Sequence, residues 1–289
     1  MEWFILLFFF LFGLVIGSYL NVAIYRLPLH LSTAKGRSFC PQCHHPLSAL
    51  DLIPVFSWLG LRGKCRYCHA PISPRYPLIE SLTGILYALC GFYYGATLTA
   101  VLHCLFLSIL IVMAMIDLDT MEIPDRLSVF ILILAVIALV LEPSSIPSRI
   151  LGALIISVPF WILSRLNAMG GGDVKIMCAA GFYLGAPLVL TAFVLSSFIG
   201  AIAALYLMIC KKKDRKSAIP FGPFLAIGLT LSVLWGNALI DVYKRQLLMQ
   251  SDGEGFTSNH VRITTGPYKL PLIVPQASPL KAGTKEQEK

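Results

Sequence analysis

The stretch Leu105-Phe106-Leu107-Ser108-Ile109-Leu110-Ile111-Val112-Met113-Ala114-Met115-Ile116-Asp117 decides how this chain folds. It closes an apolar run that begins near residue 99 and is long enough to cross a bilayer as a helix. In hydrocarbon only a helix or a closed barrel satisfies its own backbone, and a helical span needs about 20 residues. The run ends on a carboxylate, which places Asp117 at a membrane boundary.

Working outward, comparable runs lie near 3–25, 78–97, 99–116, 127–141, 147–164, 174–186, 187–210 and 219–242. The sixth is short and Gly-rich. The reading is an all-α polytopic membrane protein of about eight transmembrane helices. Composition agrees: 57% of the 289 residues are hydrophobic and 13% charged, against about 25% charged in a soluble domain. Mean hydropathy is +0.77. Met1–Leu20 is apolar from the start and has Glu2 where a signal peptide carries a basic region, so it reads as a first span that stays.

The formal charge of +8 is unevenly spread. Between Tyr76 and Cys210 the basic residues are Arg126, Arg149, Arg165 and Lys175; the rest gather at Arg26–Arg75, at Lys211–Lys216 and in the tail. With residue 1 outside, the loops 26–77, 117–126, 165–173 and 211–218 fall on the cytosolic side, as the positive-inside rule requires. That distribution argues against a nucleic-acid partner and for a lipid bilayer. Domain organisation follows: 1–27 a first helix, 28–77 a cytosolic loop, 78–243 a membrane core, and 244–289 a polar tail read as disordered.

The loop carries Cys40-Pro41-Gln42-Cys43 and Cys65-Arg66-Tyr67-Cys68. Paired C-x-x-C knuckles suit a four-thiolate zinc site, closed and therefore structural. Two disulfides or a redox C-x-x-C are the other readings, and a cytosolic location weighs against disulfides. His44, His45 and His69 read as loop residues, since four thiolates fill the shell. Cys90, Cys104, Cys178 and Cys210 fall in spans and read as small buried apolar residues.

Between Ser81 and Lys213 there are six acids: Asp117, Asp119, Glu122, Asp125, Glu142 and Asp173. Asp173 follows Gly170-Gly171-Gly172, just before the sixth span. Two carboxylates from different helices in a low-dielectric site cannot both ionise; one keeps a proton while the other activates water. Asp117 and Asp173 are the candidate catalytic pair. Asp119 and Glu122 read as solvated loop charges and Asp125 as a helix cap. No G-x-S-x-G is present.

Several motifs now line up. Gly17-Ser18-Tyr19-Leu20-Asn21-Val22 with Arg26-Leu27-Pro28, the two C-x-x-C pairs flanking Asp51-Leu52-Ile53-Pro54 and Leu61-Arg62-Gly63-Lys64, Arg75-Tyr76-Pro77-Leu78-Ile79-Glu80, Ile116-Asp117 with Ile123-Pro124-Asp125, and Gly170-Gly171-Gly172-Asp173-Val174-Lys175 resemble, in order, the motifs of the type IV prepilin peptidase family. The resemblance implies a bifunctional GxGD-type aspartic endopeptidase of the bacterial inner membrane. Such an enzyme cleaves the leader of prepilins and pseudopilins after Gly, then methylates the new N-terminus with S-adenosylmethionine. It also implies contact with pilus or type II secretion machinery. Asp125 stands where some relatives have Asn, and the tail matches nothing in the family. The alternative from another class is a zinc-ribbon-bearing membrane transporter or scaffold. Its charges would sit near mid-span, in matched broken helices, whereas here they sit at helix ends.

Overall fold

The fold is described from a computed structural model, which describes residues 2–33, 36–142, 145–166, 169–210 and 220–251. Nine α-helices are present among them: α1 (Glu2–Arg26), α2 (Phe56–Gly60), α3 (Arg75–Tyr94), α4 (Leu98–Thr120), α5 (Asp125–Leu141), α6 (Ile146–Arg165), α7 (Gly171–Leu184), α8 (Ala186–Cys210) and α9 (Gly222–Ser251). A 3-10 turn at Ala49–Leu52 precedes α2. Among the described residues there is no strand, only two isolated bridges in the cysteine loop.

Each of the eight expected spans falls on one of the long helices. Five of these, α1, α4, α6, α8 and α9, are long and apolar enough to cross a membrane by length and composition. The other three fall short for physical reasons. α5 has 17 residues and α7 has 14, below the ~20 that match a hydrocarbon core. α3 has 20, but Arg75 and Glu80 dilute its first turns. Large apolar side chains such as Phe8, Val140 and Phe198 are exposed, as lipid-facing positions are.

Close backbone approach sets the packing. α3 lies against α1 and α4, and α7 lies against α5, α6 and α8. Gly152 on α6 meets Gly181 on α7 so closely that a Cβ at Gly152 would lie 2.6 Å from the Gly185 carbonyl carbon. Small residues allow this where no hydrophobic effect drives helices together in lipid. The interior holds Phe106, Leu110, Met113 and Ile116 of α4, Ile131 of α5, Ile176 and Met177 of α7, and Leu225 and Leu229 of α9.

Two expectations are corrected. Cys178 is exposed, whereas Cys90 and Cys104 are buried as read; the Cys210 side chain lies outside the description. Asp173 is not before its helix but inside the first turn of α7. Arg149, inside the expected span 147–164, is buried on α6 and donates to the Phe182 and Tyr183 carbonyls at 3.3 and 2.5 Å, capping the C-terminal end of α7. The Lys211–Lys216 cluster lies outside the described residues. The chain divides into units Met1–Lys244 and Arg245–Lys289. α9 continues as helix to Ser251, past the boundary set at 243, and the tail beyond it lies outside the described residues.

Candidate active site and cysteine cluster

Asp117 sits in the last turn of α4, which ends when Met121 takes a left-handed conformation (φ 55°) and donates its N–H to the Asp117 carbonyl. The side chain is 5% exposed. Its Oδ2 accepts the backbone N–H of Gly222, the first residue of α9, at 2.9 Å. A Cβ on Gly222 would lie 2.6 Å from Oδ2, so a larger residue there would displace the carboxylate.

Asp173 is 8% exposed and lies within electrostatic reach of Asp117. Its Oδ1 is buried without a hydrogen-bond partner among the described residues. The glycines before it are explained by contact rather than by turn geometry. A Cβ on Gly172 would lie 2.9 Å from the Ile123 Cβ, so the start of α7 slides against the α4–α5 connection. The end of α4 and the starts of α7 and α9 thus meet around two buried carboxylates.

The remaining acids at this end are engaged differently. Asp119, read as a solvated loop charge, is on α4 and forms a bidentate pair with Arg75 of α3 at 2.9 and 2.7 Å. Two positions along a helix point to different sides, so Asp117 faces α9 while Asp119 faces α3. Asp125, read as a cap, is the first residue of α5 and accepts from Lys175 Nζ at 2.6 Å. This gives the third carboxylate a role: it ties α5 to the first turn of α7. Glu122 is exposed.

The loop cysteines converge as their spacing requires. The four Sγ atoms lie within 4.8 Å of one another, and Cys40 and Cys68, from different knuckles, are 3.8 Å apart. A tetrahedral zinc with Zn–S of about 2.3 Å has S–S edges of about that length, so the donor set fits the metal. The two knuckles are the same turn twice. In one, Cys40 N–H bonds the His45 carbonyl and His44 N–H the Cys40 carbonyl; in the other, Cys65 bonds Ala70 and His69 bonds Cys65. His44 and His69 are both left-handed (φ 55° and 56°), which makes them turn residues. The Cys40 thiol is lowered to about 7, chiefly by the Cys43 backbone N–H. At Cys68 the Ala70 N–H is outweighed by burial and the neighbouring thiols, which raise it to about 11, so the four share their protons unequally.

Residues that the sequence analysis quoted only as members of motifs fasten this loop. Asp51 accepts from Ser48 Oγ at 2.7 Å and from Arg66 Nε at 2.6 Å, so the segment between the knuckles is pinned to the second one. Buried Glu80 of α3 accepts the Val55 N–H at 2.7 Å. Val55 has φ 60°, a costly conformation for a β-branched residue, and the carboxylate holds it there. Gly222 was missed, although a glycine before Pro223 is a helix-start signal.

The chain matches two family descriptions. Residues 11–94 match the bacterial peptidase A24 N-terminal domain, and residues 104–205 match the type IV leader peptidase family. Among similar curated proteins, the prepilin leader peptidase/N-methyltransferase of Aeromonas hydrophila is 34% identical over 271 residues, covering 83% of this chain and 93% of that protein. The protein of that name from Bacillus subtilis is 35% identical over 244 residues, 83% and 98% of the two chains. The one from Legionella pneumophila is 34% identical over 273 residues, 84% and 95%. No solved structure matches significantly.

Proposed function

Because this chain belongs to the type IV leader peptidase family, we propose that it cleaves the leader of prepilins and pseudopilins after Gly, with Asp117 and Asp173 as its catalytic aspartates, and then methylates the new N-terminus. The observation that carries the reading is the pair itself: two aspartates from α4 and α7, 5% and 8% exposed, within electrostatic reach. Like charges in so dry a site share one proton, which equips them to polarise a scissile carbonyl and activate a water. Their place at the ends of helices suits a substrate whose apolar segment lies among the spans while its leader stays outside the lipid. The bacterial inner membrane is the location this assigns, with the pair and the cysteine loop on the cytosolic side. Pilus or secretion machinery is the natural downstream partner.

Cys40, Cys43, Cys65 and Cys68 would hold a zinc ion whose closed thiolate shell supplies folding energy to a loop with little core of its own. Methylation calls for S-adenosylmethionine. The cleft of about 400 Å³ between α1, α3 and α4, lined by Tyr25, Tyr76, Arg75 and Asp119 beside the loop, has the size and mixed lining of a ligand site. The transporter or scaffold alternative has no observation in its favour. The test is cleavage of a purified prepilin in detergent by the wild type and by Asp117→Asn and Asp173→Asn, read by intact mass. Loss of cleavage in both variants, with zinc retained, upholds the reading. Normal cleavage by either overturns it.

A further inference from the structure

The first turn of α9 lies beyond the matched family region, which ends at residue 205, yet it touches Asp117. Gly222 donates its N–H to Asp117 Oδ2 at 2.9 Å, in a buried bond. It does so from the first position of a helix of 30 residues, where unsatisfied amides concentrate positive potential. Asp173 lies in the first turn of α7 and shares that helix's N-terminal potential, but no donor reaches it: its Oδ1 is buried and unpartnered among the described residues. The two aspartates therefore meet different surroundings at similar burial.

We propose that α9 is the third part of the catalytic centre: the Gly222 amide keeps Asp117 as the charged member of the pair and leaves the shared proton on Asp173. The inference rests on Asp117 and Asp173 being the catalytic pair, and gives each its role. In the forward step Asp117 takes a proton from water as the water oxygen bonds to the scissile carbonyl carbon. Asp173 gives its proton to the carbonyl oxygen, forming a gem-diol. Asp117 then passes its proton to the leaving nitrogen as the C–N bond breaks, and Asp173 recovers a proton from the diol. Both residues end as they began. Gly222 acts through Asp117 and is a positioning residue.

Among the described residues, the other charged groups at this end of the bundle do not supply the asymmetry. From α3, Arg75 is paired with Asp119 of α4; from α7, Lys175 is paired with Asp125 of α5. Arg165 at the end of α6 lies over the Trp161 ring, and Arg26 of α1 binds the Ser32 and Arg37 carbonyls. Glu122 is exposed, and its charge would disfavour ionisation of both aspartates.

The test needs no variant at first. The intact wild-type chain in detergent, at neutral pH, is treated with an epoxide, which ionised carboxylates open to a hydroxyalkyl ester. A second sample is treated with a diazo ester, which takes the proton of a protonated carboxyl, loses N2 and esterifies it. Adduct sites are mapped by peptide mass spectrometry. The expected result is epoxide on Asp117 and diazo ester on Asp173; the reverse, or equal labelling, overturns the proposal. In Gly222→Ala the acidic limb of the cleavage pH profile should move up by about one pH unit, while methylation of a pre-cleaved prepilin, as a check on folding, stays normal. An unmoved limb also overturns it. Neither failure touches the catalytic pair, which stands or falls on the Asn variants.

Discussion

The cysteine loop draws its four thiols from two stretches of four residues, and the second repeats the backbone turn of the first 25 positions later. The carboxylate centre draws Asp117, Asp173 and Gly222 from three helices across 105 residues, and no two of its members share a local pattern. In the loop, geometry is written into each turn, and bringing two turns together completes the site. In the centre, geometry exists only after the bundle has packed, because every position is fixed by a contact with another helix. Local and distributed sites should therefore break in different ways.

The largest expected effect tests that separation directly. Asp117→Asn or Asp173→Asn should lower cleavage at least about a thousandfold and leave zinc content unchanged. Cys40→Ala with Cys43→Ala should do the reverse. Zinc and methyl transfer should be lost, while cleavage stays within about tenfold, equivalent to about 1.4 kcal/mol of barrier. Paired zinc assays and intact-mass measurements read both. If removing the thiols stops cleavage as completely as removing an aspartate, the two sites are one unit and the comparison fails.

What sequence could show follows the same division. Eight helices were legible because apolar runs announce spans, and the thiolate site was legible because its spacing is local. The faces of the helices were not: Cys178 was read as buried and is exposed, since lipid-facing positions are as apolar as core positions and hydropathy cannot separate them. Asp173 was expected at the end of the loop 165–173, yet α7 begins at Gly171. Contact with Ile123 outweighed weak helix propensity. The partners of Asp119 and Asp125 lie 44 and 50 residues away, and the amide that holds Asp117 belongs to a backbone no side-chain pattern reports.

A middle-sized effect belongs to the far end of α7. Arg149 holds the Phe182 and Tyr183 carbonyls with a side chain only 8% exposed. Arg149→Ala leaves those carbonyls unpaired and should cost about 3 kcal/mol, a drop of roughly 5–10 °C in the unfolding midpoint in detergent. Because α7 carries Asp173 at its other end, cleavage should fall with stability while zinc content holds.

Asp51 gives the loop a pH signature of its own. Burial pulls its carboxyl up, but hydrogen bonds from Ser48 and Arg66 outweigh that and hold it at about 2. Its ordinary value is about 3.9. A depressed folded value means stability that is present above about pH 4 and lost as pH falls toward 2. Hydrogen exchange of the loop should be faster in Asp51→Asn than in wild type by a constant factor between pH 8 and 5. That gap should close only below about pH 4. Zinc release in acid would appear as a step common to both proteins.

The smallest effect is the one that joins α7 to α5 at the surface. Lys175 and Asp125 meet at 2.6 Å, but their side chains are 55% and 69% exposed. In water-screened surroundings such a pair contributes at most about 1 kcal/mol, so a double-mutant cycle of Lys175→Ala and Asp125→Ala should give a coupling below that, shrinking in high salt. Its influence on cleavage should be correspondingly slight, because α7 is already fixed by the Gly172–Ile123 contact and by Arg149. A coupling well above 1 kcal/mol, or a salt-insensitive one, would mean that the pair is shielded when substrate or lipid covers it. Asp125 would then belong to the buried centre rather than to its rim.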